Sequence, residues 1–145
     1  FDSWAGILTR EEYERDVLPH TLKAMSGVPR SKAPVIHFAG DNRLILPLLK
    51  DMPVDVLSID WRIPLDEAAK AVGKGFALQG NLDPEALLKP VPEMQSAAAE
   101  VLERGKAAAS HIFNLGHGIT PQTKPETVRA VVEFVHRQIP KTKIP

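Results

Sequence analysis

The sequence predicts an α/β fold built on a parallel sheet. Three observations carry that prediction. Short apolar, β-rich runs alternate with helical patterns along the 145 residues, and no hairpin signal joins two of the runs. Parallel strands need long crossovers between them, and helices of this length supply them. Third, two Gly-containing segments stand where a strand hands over to a helix, the end of a parallel sheet at which ligand chemistry collects.

The strand candidates are Val35–Ala39, Val54–Ile59, Phe76–Gln79 and His111–Leu115, each about the length of a buried strand. The third is short and weak. The first helical pattern runs from Arg10 to Met25, with Tyr13, Val17, Leu18, Leu22 and Met25 at helical spacing. Thr9 is its N-cap and Glu11 and Glu12 favour its first turn, while Pro19 predicts a kink. Asp41 to Leu49 reads as a short helix capped by Asp41. Pro64 to Val72 begins on Pro and stops before Gly73, the expected asymmetry of a helix. Asp83 caps a short helix opening at Pro84. Pro92 to Arg104 follows, ending before Gly105, with a helix-favouring run at Ala97, Ala98 and Ala99. Pro125 to Ile139 places Val128, Val131, Val132 and Val135 on one face. The stretch from Gly27 to Pro34 reads as a loop within one domain spanning 1–145, and the tail from Pro140 to Pro145 is expected to fray. Four strands fit either a small open sheet or part of a barrel, which needs eight; periodicity does not choose between them.

Composition narrows the function. Lys+Arg and Asp+Glu both number 18, so the charge balance offers no argument for nucleic acid or for an anionic membrane. The chain has no cysteine, which removes disulfides, thiolate metal ligands and cysteine nucleophiles. No apolar run reaches the roughly 20 residues that span a bilayer. Phe1-Asp2-Ser3-Trp4 lacks the basic and apolar regions of a signal peptide. A cytoplasmic location is the expectation.

Neither a Gly-x-Gly-x-x-Gly nor a Walker sequence occurs, and there is no Gly-x-Ser-x-Gly elbow. Leu78-Gln79-Gly80-Asn81-Leu82-Asp83-Pro84 and Phe113-Asn114-Leu115-Gly116-His117-Gly118 are the two strand-to-helix segments; ordinary turns would also use Gly and Asn there. Of the five histidines, His20 and His136 lie in helices and read as surface residues. His37 and His111 lie in strands and read as hydrogen-bonded structural residues. His117 differs: glycines on both sides leave its imidazole accessible at a strand end, where it can bind carboxylates or move protons. Ser3, taken alone, reads as a turn residue. Asp60, which follows a strand, either contacts a ligand or forms a turn. Asp83 is explained by capping. Arg43 could reach an anionic ligand from a helix N-terminus, with solvent exposure the default expectation.

Four segments, in order, resemble uroporphyrinogen decarboxylases: Phe1-Asp2-Ser3-Trp4-Ala5-Gly6, Ser58-Ile59-Asp60-Trp61, Leu78 to Pro84 and Asn114-Leu115-Gly116-His117-Gly118. The resemblance runs along nearly the whole chain. It implies the C-terminal portion of a (β/α)8 TIM barrel, about the last four strands and their helices, from an enzyme that works as a homodimer. It implies decarboxylation of the four acetate side chains of uroporphyrinogen III to give coproporphyrinogen III, with no metal or organic cofactor. It further implies that Phe1 lies beside the bound macrocycle, that Ser3 is near a substrate carboxylate, and that His117 lines the cleft in a catalytic or positioning role. The family's paired arginines, its aspartate and its tyrosine precede Phe-Asp-Ser and have no counterpart here; Tyr13 does not take that tyrosine's place. The piece alone is therefore expected to be inactive and, with strand edges and an apolar interior open, to be poorly stable or to self-associate. Two other readings stand beside this one. Related corrinoid or coenzyme M methyltransferases use a His-x-Cys zinc pair where this chain has His37-Phe38-Ala39, and a thiolate site cannot be built without Cys. A non-catalytic α/β domain binding a small anion or a partner is the second.

Overall fold

The computed structural model describes residues 1–29 and 31–138. Its sheet contains β1 (Ile36–Phe38), β2 (Val56–Ser58), β3 (Ala77–Leu82) and β4 (Ser110–Leu115), in the order β1-β2-β3-β4. All three pairings are parallel, and one row across the sheet reads Phe38, Ser58, Gln79, Ile112. Asp2 bridges Ala39 in parallel, so the start of the chain lies beside β1 on its free edge. Each strand sits next to its predecessor and the order never reverses. A barrel is wound in this way, whereas a doubly wound sheet changes direction at a switch point.

The helices form one layer. Helix α3 (Leu46–Leu49) packs on α4 (Leu65–Val72), α4 on α5 (Val91–Gly105), and α5 on α6 (Pro125–Gln138). Alternation along the strands decides which side chains meet them. Leu57, Ile59 and Leu78 join Leu65, Ala68, Ala69 and Val72 in one core, and a second core holds Leu82, Met94, Ala98, Val131 and Val135. The opposite face lacks such a cover: Ile36 and Ile112 remain 48% and 43% exposed. The expected arc of a barrel, with helices outside and an open apolar interior, is what the sheet shows.

Element boundaries depart from expectation at several points. The first helical pattern is divided into α1 (Arg10–Glu12), a π-helical turn Tyr13–Val17 and α2 (Leu18–Ser26). Pro19 explains the break: it has no N–H to give, and its ring excludes the carbonyl four residues earlier, so the Leu18 N–H reaches back to the Tyr13 carbonyl. Thr9 caps α1 in a capping box with Glu12, at 3.2 Å and 2.8 Å. The helix expected over Asp41–Leu49 is instead a 3-10 turn at Asn42–Leu44 followed by α3. Pro47 cannot donate to the preceding turn, so α3 starts afresh. Asp41 does not cap it; at φ +43° its N–H turns to Asp60. Pro64 precedes α4 instead of opening it, and Gly73 ends that helix at φ +78°. β3 is six residues long: Ala77, Leu78 and Gln79 pair with both neighbours, and Gly80, Asn81 and Leu82 continue it along β4. Asp83 caps its 3-10 helix (Pro84–Leu88) as expected, accepting from the Glu85 N–H at 2.9 Å. Ile139 and the tail expected to fray lie outside the described residues. Among the described residues, no helix is long and apolar enough to cross a membrane.

Candidate functional site

A cavity of about 440 Å³ opens on the uncovered face of the sheet, at the carboxyl ends of the strands. Period-two alternation puts Phe38, Ser58 and Gln79 on this face in one row, Asn114 near the end of β4 joins them, and the loop after β4 adds His117 and Ile119. Phe1 and Ser3 reach the same cavity from the bridge beside β1. Three rings stand in series: Phe1 and Phe38 at 6.2 Å between centroids, then Phe38 and His117 edge-on at 6.0 Å. They form an apolar wall, while Gln79 Nε2 donates to Ser58 Oγ at 3.1 Å on the cavity floor. Phe1 and Ser3, at the start of the sequence, are thus neighbours in space of the distant His117.

A second recess of about 220 Å³ adjoins the first and shares Ser3 and His117 with it. Asp60 and Arg62 border this recess. The Asp60 carboxylate is fully buried and saturated: it accepts from the Asp41 N–H at 3.0 Å, the Arg62 N–H at 3.0 Å, and Arg62 Nη1 at 2.9 and 3.0 Å. It therefore ties the loop after β1 to the loop after β2. The loop after β4 lies directly on this bracket, because a Cβ at Gly116 would overlap the Trp61 backbone. Only glycine permits that approach.

On the helix side of Asp2 is a buried polar cluster. Its carboxylate accepts from Tyr13 Oη at 2.9 Å and Thr21 Oγ1 at 3.3 Å, and faces His37 Nε2 at 3.6 Å. Burial, and then the Asp2 carboxylate, push the Tyr13 phenol well above its ordinary value. His37 is 2% exposed and its Nε2 has no hydrogen-bond partner among the described residues. The reading of His37 as a hydrogen-bonded residue is corrected on this point: the bridge places the two side chains just beyond bonding distance. Burial lowers the His37 pKa, partly opposed by Asp2. The unfolded chain, with an ordinary imidazole near 6.5, then binds more protons than the folded one in the window below about 6.5. The stability contributed by neutral His37 is present above that value and is lost as pH falls towards the depressed folded value. The urea midpoint is expected to decline between about pH 7 and about pH 5, and His37→Gln to flatten that part of the decline. Equal slopes in the two proteins would contradict this.

Other candidates fall outside the cavity. Asn81 is buried, its amide donating to the Asp60 carbonyl at 3.0 Å and the Ile63 carbonyl at 2.5 Å, so it supports the Asp60 loop from beneath. Asp83 is a cap. His111 Nε2 meets the Gly80 carbonyl at 2.7 Å, the structural part foreseen for it. His20 and His136 are exposed on helices. Arg43 is exposed, yet donates to the Arg62 carbonyl at 2.7 Å. Sequence reasoning missed Phe38, Ser58, Gln79 and Asn114 as lining residues. Their signal was strand parity, legible only once the register was known. It also missed Arg62.

The uroporphyrinogen decarboxylase (URO-D) family model matches residues 1–138. The chain belongs to the uroporphyrinogen decarboxylase family. It is similar to uroporphyrinogen decarboxylase of Streptomyces avermitilis, at 43% identity over 138 residues, which is 95% of this chain and 39% of that protein. The Koribacter versatilis uroporphyrinogen decarboxylase is 40% identical over 137 residues, 94% of this chain and 39% of the relative. The chain therefore spans well under half the length of the family members it matches. A solved methyltransferase from Methanosarcina mazei superposes with a TM-score of 0.75 at 22% identity, covering 90% of this chain and 38% of that one. At that identity the likeness speaks for the fold: the family sheet is an arc of the (β/α)8 barrel.

Proposed function

We propose that this chain, as one part of a single barrel domain, forms one wall of the substrate cleft of a uroporphyrinogen decarboxylase. The observation that carries the reading is the convergence of Phe1, Ser3 and His117 on one cavity at the strand ends, in a chain of that family. The substrate would be uroporphyrinogen III. Protonation of a pyrrole carbon turns the ring into an electron sink. The bond to the acetate carboxyl then breaks, its electron pair enters the ring, and CO₂ leaves. A second proton adds to the exocyclic carbon to give a methyl group, and the ring proton departs. Each acetate thus consumes one proton net. Orientation and proton supply are what a protein adds to such a reaction.

The aromatic wall of Phe1 and Phe38 suits the face of a tetrapyrrole, and the Ser3 hydroxyl and His117 imidazole suit its carboxylate arms. A homodimer and a cytoplasmic location belong to the same proposal. Trp4 and Ile7, 77% and 76% exposed beside the cleft, supply apolar surface for a partner.

His117→Asn in the intact natural polypeptide tests the reading. The turnover of uroporphyrinogen III is expected to fall about tenfold, with partly decarboxylated species accumulating in an altered order. The fold should persist, since His117 lies on an exposed loop. Product distribution by carboxylate number is the readout. An unchanged rate and distribution would make His117 a structural residue of its turn.

A further inference from the structure

We propose that Arg62 is a further substrate-binding residue: held by buried Asp60, its guanidinium takes a carboxylate arm of a polycarboxylate substrate in the recess between Ser3 and His117. The inference rests on the decarboxylase reading and adds a contact to it. Arg62 borders the smaller recess, which communicates with the main cavity through Ser3 and His117. A volume of about 220 Å³ accommodates one short carboxylate arm, while the neighbouring cavity of about 440 Å³ faces the ring.

The side chain is fixed before any ligand arrives. Nη1 is anchored on both oxygens of Asp60, the guanidinium stacks on the Trp61 ring at 4.5 Å, and the Arg62 carbonyl is held by Arg43. A preset fork loses little freedom on binding a carboxylate. Among the described residues, Nε and Nη2 have no partner, and the side chain remains 42% exposed. Of the two members of the ion pair, Arg62 is the exposed one. Asp60 is 0% exposed, with its oxygens turned inward to backbone N–H groups, so the positive member is the one presented. Asp41 also borders the recess, and Arg62 offsets a carboxylate that would otherwise repel an anionic arm.

The test uses the intact natural polypeptide and uroporphyrin III, the oxidised, non-reacting form of the substrate, as binding probe. Arg62→Gln is expected to weaken uroporphyrin III binding about tenfold and to raise KM for uroporphyrinogen III by a similar factor, with kcat changed less. Arg62→Lys should recover part of the binding. Because Arg62→Gln also strands the buried Asp60 charge, the double variant Asp60→Asn/Arg62→Gln separates the two roles. It should regain the urea midpoint lost by Arg62→Gln and still bind uroporphyrin III weakly. Binding by Arg62→Gln within about twofold of the wild type, or recovery of binding together with stability in the double variant, overturns the assignment. A wild type that neither binds uroporphyrin III nor consumes uroporphyrinogen III overturns both this inference and the decarboxylase reading. A wild type that does both, beside an unaffected Arg62→Gln, overturns the inference alone.

Discussion

Asp60→Ala is expected to lower the unfolding free energy by about 3 kcal/mol, because it removes a buried carboxylate whose charge-assisted hydrogen bonds are worth about 1.5 to 3 kcal/mol each and leaves backbone N–H groups unpaired. The effect is large because a single carboxylate with no solvent exposure serves two loops. Its loss leaves the N–H groups of Asp41 and Arg62 without their acceptor and frees Arg62 Nη1. Asp60→Asn, which keeps one acceptor oxygen and removes the charge, should cost clearly less. Urea unfolding of the intact protein at neutral pH checks both; a shift in midpoint at constant slope is the expected form. If Asp60→Ala unfolds within about 1 kcal/mol of the wild type, the loops are not held by this carboxylate.

Gly40→Ala is expected to cost about 3 kcal/mol and to disturb the site at the same time, because a core overlap with no room to relax falls among the costlier substitutions. A Cβ on Gly40 would overlap the Ser3 carbonyl oxygen, with the Ser3 carbonyl carbon at 3.1 Å and its Cα at 3.6 Å. Those are backbone atoms, so no flexible side chain can move aside. The Gly40 N–H also donates to the Asp2 carbonyl at 3.0 Å, the bond that secures the segment bearing Ser3. Pushing the two segments apart should displace Ser3 from the cavity mouth and, on the proposed decarboxylase reading, raise KM for uroporphyrinogen III alongside the loss of stability. Gly75→Ala is the control: nothing lies within 4 Å of its Cβ position, and no change is expected. Equal stability of Gly40→Ala and Gly75→Ala would show that the Ser3 segment is not packed against Gly40.

Local signals in the sequence predict a local feature well when nothing distant competes with it. The Thr9 capping box, the Asp83 cap, the break at Pro19 and the stop at Gly73 each depend on neighbours within a turn. β3 is longer than its sequence suggests, because Gly80 and Asn81 are poor strand residues. Pairing with Phe113 and Asn114 of β4 carries them into the ladder despite that. The sequence suggests a single helix over Asp41–Leu49 because the demand of Asp60 for the Asp41 N–H comes from 19 residues away.

By itself, the sequence determined the α/β class, the parallel alternation, the strand end on which His117 lies, and the family to which its motifs point. These follow from periodicity, caps and short motifs, all of which act over a few residues. Tertiary structure decided the rest. The row of Phe38, Ser58 and Gln79 facing the cavity depends on strand register, and a shift of one residue would turn every one of them to the helices. Asp60 could be a ligand or a turn residue in sequence; the loop after β1 made it a buried bracket. Arg62 gained its position from that bracket and from the Trp61 ring. The physical reason is common to all three. A side chain's surroundings are set by strands and loops that lie far off along the chain, and only the folded sheet brings them within hydrogen-bonding distance.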